Sequence, residues 1–389
     1  MEAQSMQKRY LMTPGPTSVP AEVLLAQAQP MIHHRAPGYS KVFMSVLDGS
    51  KYVFQTENDV LIFSSSGTGG MESAVVNLFS PGDKVVVVNT GNFGTRFVQI
   101  CEIYGLTVTE LAYEWGEKAN PSDVAEALEK DKEIKGVFAT HSETSTGIVN
   151  DIKTIGDIVK DTGAAFIVDT VSGLGALEFK TDDWHVDVAI SGSQKALMAP
   201  PGIAFVAVSK KAWDMVEKST LPKFYFSYKK SMAALQKATP QNPFTPPVSL
   251  ILGLDEALKM IKEEGLENIV KRHNVLGKAA RAGVKALGLE FFGACDETSN
   301  AVTAIKAPEG IDGKNIVKIM REQFGITIAG GQGRIAGKIF RLGHLGYYDK
   351  FDILVTLSGL EMTLRELGYS FDIGAGVSAA EKVFMENSF

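Results

Sequence analysis

"DVAISGSQKALMAPPGIAFVAV", residues 187–208, contains two apolar runs joined by a polar link that carries one lysine. The runs 187–192 and 202–208 are nearly continuous in Val, Ile, Ala and Phe. They lack in/out alternation, which is the pattern of strands covered on both faces. Lys195 lies between them, among small and polar residues and just ahead of a Pro-Pro-Gly turn. In isolation it reads as a solvated surface lysine. The rest of the chain has to supply a reason to read it otherwise.

Upstream, the same apolar pattern recurs in "DVLIF" (59–63), "KVVVVN" (84–89), "LTVTEL" (106–111), "KGVFATH" (135–141) and "AAFIVDT" (164–170). Amphipathic helical stretches such as "GGMESAVVNLF" and "TRFVQICEIY" fit between them. Alternation of this kind implies an α/β fold: a mostly parallel seven-stranded sheet, buried on both faces and flanked by helices. Around 220–248 the pattern gives way to a segment rich in Pro, Lys and aromatics. A long helical stretch follows (250–287, interrupted at Gly265), then a tail of mixed strands and helices. With 389 residues the chain exceeds what one core supports. The expected division is an N-terminal arm (1–20), a large domain (21–260) and a smaller α+β C-terminal domain (261–389).

Composition narrows the function. The chain is 45% apolar and 22% charged, with net charge −6 and pI near 5.7. That balance argues against nucleic-acid or anionic-membrane partners, which need basic patches. Apolar runs are far shorter than a membrane span. The amino terminus lacks a signal-peptide core and "ENSF" is no peroxisomal address, so a cytoplasmic protein is expected. Two cysteines, Cys101 and Cys295, are too few for a disulfide framework or a Cys-rich metal site. Both read as structural or semi-exposed.

In an open parallel sheet, ligands bind beyond the carboxyl ends of the strands. The first such end is "FSSSGTGGMESA", a Ser/Gly-rich turn leading into a helix near Thr68. Backbone N–H groups and hydroxyls there suit a phosphate, although a plain tight turn explains the glycines equally well. "NTGNFGTRF" places Phe93 where it could cover a planar ligand, or serve as core. "THSETSTG" offers Thr144 and Ser145 as hydrogen-bond donors. "AAFIVDTVSGLG" ends a strand in Asp169, a carboxylate that is expensive to bury without a cation or hydrogen bonds. The last is the Lys195 link.

Together these ends call for a ligand with a phosphate, a flat ring, a basic ring nitrogen and an electrophilic carbon. Pyridoxal 5'-phosphate has all four. The "SSGTGG" helix start would take its phosphate and Phe93 would stack on its ring. Asp169 would keep the ring nitrogen protonated, and Lys195 would condense with the aldehyde as a Schiff base.

"LMTPGPTSVP", "SSSGTGGMESAVVNLFSPGD", "HSETSTG", "VDTVSGLGALEF", "SGSQKALMAPPG" and "GKIFRLGHLG" run in order along the chain. In them it resembles the class V (fold type I) aminotransferases, with the alanine–glyoxylate and serine–glyoxylate (serine–pyruvate) aminotransferases as the nearest likeness. The resemblance implies a homodimer with active sites shared at the subunit interface. It assigns Ser66, Gly67, Thr68 and Gln194 to the phosphate, Thr144 to the ring hydroxyl region and Val171 to the ring. Asn242 and Thr245 would reach the partner chain's phosphate, and Arg341 would hold the substrate carboxylate. A guanidinium fork suits that task. Family members often carry Trp in place of Phe93, and some carry Tyr near Asn242.

The expected activity is ping-pong transfer of an amino group from alanine or serine to glyoxylate or pyruvate. Rival readings stay open: another enzyme of this fold, such as a 2-aminoethylphosphonate transaminase or a cysteine desulfurase-like lyase, or a non-catalytic subunit of a larger assembly. A desulfurase needs a mobile nucleophilic thiol, for which Cys295 is the only distant candidate. His33, His34 and Arg35 divide evenly between a substrate-side role and interface packing. His141 reads as a satisfied buried histidine.

Overall fold

The structure, a computed structural model, describes residues 7–294 and 299–387. Seven strands form its central sheet: β1 (Asp59–Ser64), β2 (Lys84–Asn89), β3 (Thr107–Ala112), β4 (Ile134–Thr140), β5 (Ala165–Asp169), β6 (Val188–Gly192) and β7 (Ile203–Val208). Their order is β1-β7-β6-β5-β4-β2-β3. β7 runs antiparallel to both β1 and β6, and every other pair is parallel. The reason is connection length. A parallel crossover takes a dozen or more residues, usually a helix, whereas residues 193–202 contain none. The chain therefore turns back on itself, and Lys195 is left at the carboxyl edge of the sheet.

The absence of alternation in the strands has a direct structural counterpart. In β2, Val86 and Val88 pack into one apolar layer while Val85 and Val87 pack into the opposite one. The first layer is built with α1 (Pro37–Phe54), the second with α2 (Gly67–Leu78) and α3 (Asn92–Ile103); α4 (Val248–Glu264) joins the first. All four valines are fully buried, and each contributes roughly 1.5–3 kcal/mol by leaving water. β3 departs from the expectation of burial on both faces. It is the sheet edge, and Thr107, Thr109, Glu110 and Ala112 are exposed.

A second core lies in the C-terminal part. There β8 (Val302–Lys306), β9 (Ala329–Gly330) and β10 (Ile339–Gly343) form an antiparallel sheet in the order β8-β10-β9. Helices α5 (Leu266–Ala286), α6 (Lys350–Glu366) and α7 (Ala375–Glu386) cover it, and α5 follows α4 directly after Gly265. The N-terminal segment belongs to this core: Tyr10–Leu11 pairs in parallel with Ile326–Thr327, and Met12 is buried. From there the chain crosses to the central sheet, where the Thr17 N–H donates to the Gln194 carbonyl (3.2 Å) and Thr17 Oγ1 to the Lys195 carbonyl (3.0 Å). Among the described residues, no helix is long and apolar enough to cross a membrane.

Candidate active site

The carboxyl edge of the sheet gathers the site. β1 passes through Ser65 and Ser66 into α2. Ser66 is extended (φ −80°, ψ 168°) and makes no side-chain capping bond, so its hydroxyl and the first N–H groups of α2 stay available to an anion. The glycines serve close approach. A Cβ on Gly67 would stand 2.6 Å from Val171 Cγ2, and one on Gly70 2.6 Å from Ile190 Cγ2. Only glycine lets this helix start lie flat on the sheet.

Asp169 closes β5, in register between Thr140 and Ile190, and is 3% exposed. Its Oδ1 accepts the Val171 N–H at 2.8 Å. Burial pushes its carboxyl up to about 6, with Val171 pulling down, Glu143 adding to the rise, and Arg96 and Lys195 opposing it. Lys195 is 8% exposed, and its Nζ donates to the Pro14 carbonyl at 2.6 Å. Burial holds its ammonium down, to about 8, against the attraction of Asp169 and with help from the Arg341 and Arg96 charges. Each of the two groups is thus displaced toward neutrality by the low-dielectric surroundings.

Arg341 comes from β10. Its Nε and Nη2 donate to the Gly330 carbonyl (3.0 and 2.7 Å) and its Nη1 to the Thr144 carbonyl (2.7 Å). Each terminal nitrogen therefore keeps a second N–H, the fork a carboxylate accepts bidentately. Burial lowers its guanidinium to about 10, opposed by the Glu143 charge. Glu143 is fully buried and accepts the N–H groups of Phe93 (2.9 Å), Gly94 (3.1 Å) and Ser145 (3.1 Å) together with the Ser145 hydroxyl. Burial still raises its carboxyl above the usual range.

A cavity of about 250 Å³ unites Ser66, Gly67, Thr68, Phe93, Thr144, Asp169, Val171, Gln194 and Lys195. It also takes in Met71, Arg96, Ser142 and Ser172, which sequence reasoning passed over. A signal existed for Arg96: it lies three residues after Phe93, on the same helical face. Thr144 Oγ1 hydrogen-bonds Ser172 Oγ at 2.5 Å. Ser145 turns away toward Glu143. Asn242 and Thr245 do not line this cavity; Asn242 Oδ1 accepts from Tyr39, and Thr245 is exposed. Arg35 donates to the Asn242 and Pro243 carbonyls, while His33 is exposed and His34 half-buried. His141 is buried against Phe179 and Trp184, with burial lowering it to about 4, and Cys101 is buried within α3. Cys295 lies outside the described residues.

Residues 9–342 match the family model "Aminotransferase class-V". The soluble hydrogenase small subunit of Synechococcus sp. (strain PCC 6716) is 47% identical, covering 97% of this chain and 98% of the relative. The serine–glyoxylate aminotransferase of Methylorubrum extorquens is 38% identical over 98% of this chain and 97% of its own length. Among solved structures, the ureidoglycine–glyoxylate aminotransferase of Bacillus subtilis superposes with a TM-score of 0.93 at 32% identity, covering 99% of this chain and 100% of that one.

Proposed function

The chain belongs to the class-V aminotransferases, and from that premise we propose that it moves the amino group of alanine or serine onto glyoxylate or pyruvate, in a ping-pong cycle with pyridoxal 5'-phosphate held at Lys195. The observation that carries this reading is the meeting of a buried amine, a buried carboxylate and an uncapped helix start in one cavity, with Arg341 joined to its wall through Thr144.

The residues present fit the cofactor. Ser142 Oγ and Gln194 Oε1 are buried in the cavity wall without partners, and a glutamine amide can turn to offer its N–H₂ instead. Ser66, Gly67, Thr68 and Gln194 would hold the phosphate, Phe93 and Val171 the ring, and Asp169 the ring nitrogen. When bound, the cofactor supplies an electron sink that makes the substrate α-proton removable. Lys195, whose pKa burial lowers to about 8, takes the proton from the Cα of the amino donor and, in the second half-reaction, gives one to the α-carbon of the keto acceptor. Arg341 fixes the substrate carboxylate and so orients Cα. Asn242 and Thr245, lying away from this cavity, would complete the phosphate site of a second copy. The two separate cores support a cofactor domain, proposed at 21–260, and a smaller domain, proposed at 261–389, with an arm at 1–20; Ile261 and Ile269 still pack in the first core, and Met12 of the arm in the second.

The name of the Synechococcus relative favours a second reading, a subunit of a larger redox assembly. Two cysteines do not provide the four thiolates of an iron–sulfur cluster, so any such centre would lie on other subunits. The test is a donor and acceptor grid on the purified protein with Lys195→Ala in parallel. Pyruvate formed from alanine and glyoxylate, and lost in the variant, is expected. No transfer with any small amino/keto pair, together with a partner co-purifying in fixed ratio, would overturn the proposal in favour of the subunit.

A further inference from the structure

Arg96 stands on α3, one turn after Phe93, and faces the start of α2. Its Nη1 donates to Thr68 Oγ1 at 2.8 Å, its guanidinium lies 4.6 Å from the Phe93 ring centroid, and it lines the cavity. Among the described residues no carboxylate forms an ion pair with it. A half-buried guanidinium without an anion is costly, and cation–π contact offsets only part of that cost.

We propose that Arg96 belongs to the phosphate site, as its cationic wall and as the residue that orients Thr68. A hydroxyl has one proton to give and lone pairs that accept. Because Thr68 Oγ1 accepts from Arg96 and no described acceptor takes its proton, that proton is left for an anion. The helix start adds its uncapped N–H groups, and Ser142 Oγ and Gln194 Oε1, buried and unpartnered, line the same cavity. The dianion thus meets one full positive charge beside the partial charge of the helix dipole. The same guanidinium holds Phe93, so one side chain links the stacking face to the anion site.

This inference rests on the cofactor reading above, and the test separates the two. Apoprotein is titrated with pyridoxal phosphate and, separately, with pyridoxal, which has the aldehyde and ring but no phosphate. Arg96→Gln is expected to weaken the phosphorylated ligand by about tenfold to a hundredfold while weakening pyridoxal, which senses only the loosened Phe93, by about threefold or less. Arg96→Lys, which keeps the charge and loses the fork, is expected to fall between wild type and Arg96→Gln, and it decides the matter if Arg96→Gln fails to fold. Equal weakening of both ligands would make Arg96 a support for Phe93 alone and overturn the proposal, as would no change in either. If the wild-type protein binds neither ligand, the cofactor reading itself falls.

Discussion

Lys195 and Pro14 are joined across 181 residues of sequence, the lysine Nζ donating to the proline carbonyl at 2.6 Å. The N-terminal arm therefore roofs the amine at the carboxyl edge of the sheet. Gly15 makes the approach possible, because its φ of +125° disfavours any side chain and an added Cβ would lie 2.5 Å from Lys195 Cδ and Cε. Gly15→Ala is expected to leave the two cores intact, the strain staying in the segment around Gly15 and at the flexible end of Lys195. It should lower kcat about tenfold or more by displacing the amine. Steady-state kinetics beside a circular dichroism spectrum check this, and unchanged kcat would show the roof to be incidental.

The depressed Lys195 amine predicts a reactivity profile. Acylation of the apoprotein, followed residue by residue by mass spectrometry, should show Lys195 modified with a midpoint near pH 8. Asp169 opposes the depression by favouring the ammonium, so Asp169→Asn should move the midpoint lower still. A rise instead would mean that the two groups do not sense each other.

The same displacement bears on stability. The folded state binds fewer protons at Lys195 than the unfolded chain between about pH 8 and 10.5. Its contribution to stability is therefore gained as pH rises through that window and lost as pH falls through 8. Asp169, raised to about 6 from 3.8, acts in the other sense and loses its contribution as pH climbs past 6. Urea midpoints for wild type and Lys195→Met across pH 7–10 should differ in slope, the variant being flatter.

Arg341→Lys keeps a charge but cannot span the Gly330 and Thr144 carbonyls while gripping a carboxylate at two points. KM for amino donor and keto acceptor should both rise about tenfold to a hundredfold, with kcat falling less. A variant that lowers kcat alone would remove Arg341 from carboxylate binding.

Glu143→Ala strands the N–H groups of Gly94 and Ser145 in the interior and that of Phe93 beside the cavity. The expected loss is about 3 kcal/mol or more, read from the urea midpoint. Loss of ring stacking should accompany it, because Glu143 fixes the backbone that carries Phe93.

Much of this site could be read from residues alone, for identifiable reasons. The strands were legible because burial on both faces erases polar alternation. β3 misled because an edge strand with Val and Leu between Thr and Glu looks similar over six residues. Asp169 and Lys195 stood out as ionisable groups in apolar or small-residue surroundings. Glu143 did not, since two of its partners, the N–H groups of Phe93 and Gly94, come from a segment about fifty residues away. Pro14 was invisible in principle: a main-chain oxygen has no letter in the sequence. Asn242 and Thr245 do not line the cavity, and Asn242 is engaged by Tyr39 and Arg35 instead, contacts that no local sequence pattern announces.

The pairing of Tyr10–Leu11 with Ile326–Thr327 has a mechanical outcome. Met12 is the last residue paired backbone to backbone with the C-terminal core, its N–H bonded to the Thr327 carbonyl and its carbonyl to the Gly343 N–H. Pro14 is only two residues further on, a leash of about 7 Å at full stretch. It holds almost no slack. Any excursion of the lobe bearing Arg341 must drag the lysine's cover along or snap its tether, so the position of that guanidinium is geared to the exposure of the Lys195 amine.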